Sequence, residues 1–124
     1  MTKILMIEDD AAMRRLYKTA FTKKNYQIEE AADGEEGIRR VKEGKPDLIL
    51  MDVMIPRKNG LEVLSELKAD PTTKDIPVLA LTNYSGDLDP SPAVEKGALM
   101  LIIKSNHEPQ EIVGIVEKAL ENKS

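Results

Sequence analysis

Short apolar runs recur along the chain, separated by longer stretches in which charged and apolar residues mix with helical spacing. That alternation predicts strands connected by helices in a parallel sheet. The expected strands are Lys3 to Ile7, Tyr26 to Ala31, Asp47 to Met51, Ile76 to Leu81 and Leu99 to Ile103. The first, third, fourth and fifth are almost wholly apolar, as strands buried on both faces should be, whereas Gln27, Glu29 and Glu30 mark the second as an edge.

The helices expected between them follow from caps and breakers. Asp10 suits the cap of a first helix from about Ala11 to Lys24, with Met13, Leu16, Tyr17 and Ala20 spaced to face the sheet. A second starts near Asp33-Gly34 and stops at Gly44, ahead of Pro46. Gly60 to Ala69 reads as the third, with Leu61, Leu64 and Leu67 on one face and Asp70-Pro71 ending it. Pro90 and Pro92 confine the fourth to a start near Pro90, since proline is tolerated only in a first turn. The fifth, from about Pro109 to Glu121, carries Ile112, Ile115, Val116, Ala119 and Leu120 on a core stripe. Five βα units with short loops predict an α/β fold, a doubly wound (βα)5 three-layer sandwich with strand order 2-1-3-4-5. No linker or low-complexity segment interrupts the pattern, so residues 1–124 are expected to form one domain.

Composition narrows the chemistry. Cysteine is absent, which excludes disulfides, thiolate nucleophiles and sulfur-bound zinc, and suits a reducing cytoplasm. Acidic side chains outnumber basic ones, 22 to 18, with no basic block set apart, which argues against nucleic-acid binding. No apolar run approaches the roughly 20 residues that span a bilayer, so no membrane association is expected.

In an open parallel sheet, ligands bind beyond the carboxyl ends of the strands, where the strand order reverses. At those ends stand Glu8, Asp9 and Asp10, then Asp52, then Thr82-Asn83, then Lys104. Carboxylates brought together repel unless a cation lies among them or some bind protons, and a hard divalent ion answers that problem. Oxygen-only ligands favour Mg2+ or Mn2+ over zinc, and Mg2+ commonly joins one or two carboxylates to phosphoryl oxygens. An Asp acceptor, a hydroxyl and an ammonium complete a set fit for phosphoryl transfer. Asp10 on its own reads as a helix cap. Isolated, Asp9 would read the same way, Thr82 as a neutral position and Lys104 as a solvated charge; their shared strand ends favour function.

The segments ILMIEDD, LILMDVMIPRKNGLE, LALTN and LIIK, in this order and spacing, resemble the signature segments of bacterial response-regulator receiver domains over the whole chain. The resemblance implies a flavodoxin-like, CheY-like fold and a phosphoacceptor switch of a two-component or phosphorelay system. By it, Asp52 is the phosphorylated aspartate and a metal ligand, Asp9 a direct ligand, Glu8 a ligand through water, and Met54 a ligand through its backbone carbonyl. Thr82 matches the switch hydroxyl and Lys104 the phosphate-contacting lysine, while Pro56 and Gly60 shape the loop after the acceptor. The implied cofactor is Mg2+ or Mn2+. The implied partners are a sensor histidine kinase or histidine phosphotransfer protein as donor and a downstream effector of unknown identity. Such a protein catalyses only its own phosphorylation and dephosphorylation, and signals through the surface near the fourth helix and fifth strand.

This sequence departs from the receiver pattern in four places. Ser105 follows Lys104 where receivers usually have proline, Leu101 replaces the aromatic switch residue, Asn83 stands where a small residue is usual, and Pro90 and Pro92 break the fourth helix. These departures motivate the alternative of a phosphorylation-independent interaction module with the same fold. A haloacid-dehalogenase-like phosphohydrolase would want a second Asp where Met54 stands, and no glycine-rich loop follows the first strand for a dinucleotide. His107 reads as a solvated or capping residue and Met6, Met13, Met51 and Met100 as core. Tyr84 is read as loop packing, with a lid over the phosphoryl group as the other reading.

Overall fold

The computed structural model describes residues 1–55, 57–83 and 91–121. Five parallel strands, β1 (Lys3–Ile7), β2 (Gln27–Ala31), β3 (Leu48–Asp52), β4 (Val78–Thr82) and β5 (Met100–Ile103), form one sheet in the order β2-β1-β3-β4-β5. Helices α1 (Ala11–Lys23), α2 (Gly34–Gly44), α3 (Gly60–Ala69), α4 (Ser91–Glu95) and α5 (Pro109–Glu121) alternate with them. The period-two alternation of strand side chains divides the interior into two layers. Ile4, Met6, Leu48, Leu50, Leu79, Leu81 and Ile102 face α1 and α5. Leu5, Ile7, Ile49, Met51, Val78 and Ala80 face α2, α3 and α4. This is the sandwich and strand order that the sequence predicts.

Capping sets several of the boundaries. The Asp10 carboxylate accepts from the amides of Ala12 and Met13, Asp33 accepts from Glu36 N, and Asn59 accepts from Glu62 N. Tyr26 falls outside β2 because its amide turns back to the Phe21 carbonyl at the end of α1. Asp47 precedes β3, its carboxylate accepting from Lys3 N at 2.8 Å.

Three expectations about burial are corrected. Leu16 is 53% exposed, and Phe21, one turn beyond Tyr17, is fully buried in its place. The sheet-facing stripe of α1 therefore runs through Met13, Tyr17, Ala20 and Phe21. The fifth strand is not buried on both faces: it is the free edge beyond β4, with Ile102 its only buried residue. For the same reason Met100 is 43% exposed rather than core. Pro56, Tyr84 and Pro90 lie outside the described residues; Pro92 is the second residue of α4.

Candidate functional site

The register brings the candidate residues together. Ile7 pairs with Met51, so Glu8 and Asp52 follow each other side by side at the ends of β1 and β3. Thr82 pairs with Ile103, which places Lys104 one residue beyond it at the neighbouring end. Among the described residues the buried polar or charged side chains are Glu8, Asp52, Thr73, Thr82 and Lys104, and all but Thr73 belong to this end of the sheet. Thr73 instead caps the loop after α3, donating to the Leu67 carbonyl at 2.7 Å.

Lys104 is the centre of the cluster. Its Nζ donates to Glu8 Oε1 at 2.5 Å and to Asp52 Oδ2 at 2.6 Å, with all three side chains nearly excluded from solvent. Asp52 Oδ1 accepts from the Met54 amide at 2.9 Å, so each oxygen of the Asp52 carboxylate has a donor. Glu8 Oε2 accepts weakly from Asp10 N at 3.4 Å. Burial pushes the Glu8 carboxyl up to about 7; the hydrogen bond from Lys104 opposes that rise and the charge of Asp52 adds to it. Burial acts to lower the Lys104 pKa, but the bonds to Asp52 and Glu8 outweigh it and hold the ammonium above its ordinary value. The two carboxylates are thus tolerated at close range by a lysine that stays charged.

Asp9 is exposed at the mouth of the crevice. One oxygen from each of Glu8, Asp9 and Asp52 can be chosen so that all lie within 4.8 Å of one another. This set contains oxygen only and opens to solvent at Asp9, which fits a hard divalent ion that keeps part of its water. The Met54 side chain is 73% exposed while its amide is turned toward Asp52.

The surrounding loops explain why the geometry holds. Gly60 N donates to Val53 O at 2.9 Å, and a Cβ on Gly60 would lie 2.7 Å from Val53 Cα, so only glycine lets α3 start this close to the end of β3. After Lys104 the chain makes a single 3-10 turn, Lys104–Asn106, with Ser105 in a trans peptide. His107 Nδ1 lies 3.7 Å from Glu111 Oε2, and Glu111 Oε1 accepts from Glu108 N at 2.8 Å, so this histidine belongs to the start of α5 rather than to the crevice.

Arg14 escaped the sequence reading, and Tyr17, expected on the sheet-facing stripe of α1, was not tied to the crevice. Arg14 Nη1 donates to the Glu8 carbonyl at 2.7 Å while Nε faces Glu30 Oε1 at 3.6 Å, bracing the β1–α1 turn. The signal was an arginine pair near the start of a helix with no acid in its first turn, against the helix dipole. Tyr17, buried on α1, feels the charges of Lys104, Glu8 and Asp52 from the other side; burial raises its pKa.

Residues 4–117 match the family described as the response regulator receiver domain. The chain is 35% identical over 104 residues to the transcriptional regulatory protein AfsQ1 of Streptomyces coelicolor, an alignment covering 84% of this chain and 45% of that protein. It is 32% identical over 118 residues to the chemotaxis protein CheY of Thermotoga maritima, covering 94% of this chain and 95% of that one. The chain therefore spans about half the length of the first relative and nearly all of the second. The crystal structure of the Mn2+-bound form of response regulator Rcp1 matches with a TM-score of 0.80 at 28% identity, covering 90% of this chain and 91% of that one.

Proposed function

Because the chain belongs to the response-regulator receiver family, we propose that it is a phosphoacceptor switch in which Asp52 takes a phosphoryl group from the phosphohistidine of a sensor histidine kinase or histidine phosphotransfer protein. The observation that carries this reading is the buried Lys104 held between Glu8 and Asp52, with Asp9 opening the same cluster to solvent. A structural ion pair would need one carboxylate and no exposed third acid. An Asp52 oxygen attacks phosphorus, the P–N bond breaks, and its electron pair leaves on the donor imidazole. Asp9, Asp52 and the Met54 carbonyl would hold a Mg2+ or Mn2+ ion directly, and Glu8 through water. Such an ion neutralises charge on the phosphoryl oxygens. Mn2+ in the similar protein Rcp1 supports this ligand chemistry. Lys104, already beside Asp52, needs only to shift from carboxylate to phosphoryl oxygen, and the Thr82 hydroxyl at the adjacent strand end can donate to another. Hydrolysis of the acyl phosphate resets the switch, so the protein catalyses its own modification only. The output acts on an effector through the surface near α4 and β5. We place the reaction in the cytoplasm; among the described residues no helix is long and apolar enough to cross a membrane.

Leu101 and Ser105 favour the second reading, an interaction surface that works without phosphorylation. The intact Glu8–Lys104–Asp52 cluster weighs against it. Phosphate-affinity electrophoresis after incubation with acetyl phosphate separates the two. A shifted, base-labile species should form with Mg2+ and not with EDTA, and no shifted species in either condition would leave the second reading standing.

A further inference from the structure

A second concave site lies at the opposite end of the sheet from the acidic crevice. The starts of β4 and β5 and the last turns of α3 and α5 enclose a cavity of about 640 Å3, within the usual range for small-molecule pockets. Leu79 and Ile115 form part of its apolar wall, and Leu99 and Met100, 54% and 43% exposed, line it at the free edge of the sheet. Its charged lining is Lys68, Lys74 and Lys118 against Asp75 alone, in a chain whose net charge is -4.

Lys68 makes this more than a greasy groove. Its stem is held beneath Gly97, where a Cβ would come within 2.7 Å of Lys68 Cγ, and Nζ donates to the carbonyls of Lys74 at 2.9 Å and Ile76 at 2.7 Å. An ammonium has three donors, so one remains. Among the described residues both acceptors are neutral and no ion pair forms. Burial lowers its pKa, which Asp75 only partly offsets. A fixed, half-buried cation that makes no ion pair, in a lining where three lysines face Asp75 alone, lies beside an apolar basin and selects a ligand with an anionic head and an apolar tail.

We propose that this pocket binds a free amphipathic carboxylate, its head meeting Lys68 and Lys118 and its chain lying over Leu79, Met100 and Ile115. The site is independent of the phosphoacceptor reading, since it shares no residue with the crevice.

Sodium decanoate titrated into the 15N-labelled full chain tests it, with amide shifts as the readout. Saturable shifts should cluster at Val78–Leu79, Leu99–Met100 and Ile115–Ala119, and should persist in Asp52→Asn. Decyltrimethylammonium, with the same tail and opposite charge, should not saturate. Lys118→Glu, at an exposed position that leaves the fold intact, should weaken decanoate by about tenfold or more, and Lys68→Met, which keeps the stem over Gly97, should weaken it as well. Equal binding of the cationic probe, unchanged affinity in both variants, or shifts equally strong around Leu16 would overturn the proposal. So would a ligand-free dimer that shields Met100, which would give the surface to a second copy of the chain.

Discussion

Replacing Lys104 by methionine keeps the length and apolar character of the stem and removes the one charge that Glu8 and Asp52 share. Their side chains are 2% and 5% exposed, so neither carboxylate can turn to bulk water in exchange. Breaking a buried ion pair costs about 3–5 kcal/mol, because the remaining charges are left uncompensated. The lower end applies here, since Glu8 already titrates near 7 and can take up a proton instead. For a chain of 124 residues, about 3 kcal/mol at roughly 2.1 cal/mol/K of unfolding entropy per residue lowers the melting temperature by about 11 °C. Added Mg2+ should then restore stability by a larger margin than in the parent, because no lysine has to be displaced from the carboxylates; occupancy at 100 times Kd is worth about 2.7 kcal/mol. Thermal unfolding at pH 7.5 in EDTA and in a Mg2+ series measures both effects. A loss below about 1 kcal/mol, or a Mg2+ response no larger than that of the parent, would show that Lys104 is not what makes the buried acids tolerable.

Further outcomes follow from the same geometry. Millimolar Mg2+ should raise the melting temperature of the parent and leave Asp9→Ala unmoved; an equal rise in both would place the ion elsewhere. In EDTA, Glu8 binds more protons folded than unfolded between its ordinary value of 4.5 and about 7. Stability should therefore fall as pH rises through that window, and Glu8→Gln should flatten the fall; parallel curves for the two proteins would contradict the burial of Glu8 as its cause. Gly34→Ala would set a Cβ 2.1 Å from the Lys58 carbonyl and 2.9 Å from Val63 Cγ2, and should cost about 1–3 kcal/mol in denaturant unfolding; a neutral result would mean that the loop before α3 yields freely.

The fold was legible because its signals are local and redundant. Val, Leu and Ile runs mark β1, β3 and β4, and Asp10 and Asp33 each stand as a cap where a helix begins. The errors arose where burial depends on neighbours rather than on pattern. Met-Leu-Ile-Ile in β5 looks like a central strand, yet it is the last in the sheet and has no strand beyond it to cover Met100. Leu16 and Phe21 both fit a helical stripe, yet Phe21 is buried in the layer between α1, α5 and the sheet while Leu16 is left exposed. At the site, the strand-end rule located Glu8, Asp9, Asp52, Thr82 and Lys104. It did not foresee that the lysine bonds Glu8 as tightly as Asp52, which follows from side-chain reach across three strands. Arg14 was missed because its partner is a backbone carbonyl, which has no identity in sequence.

The central claim is that Asp52 is a covalent acceptor, and intact mass after incubation with acetyl phosphate and Mg2+ tests it most directly, on the parent and on Asp52→Asn. The parent should gain one phosphoryl group, removable by base or hydroxylamine, and Asp52→Asn should gain none. An equal gain in Asp52→Asn would contradict the assignment of the acceptor, and no gain in the parent would contradict the phosphoacceptor reading itself.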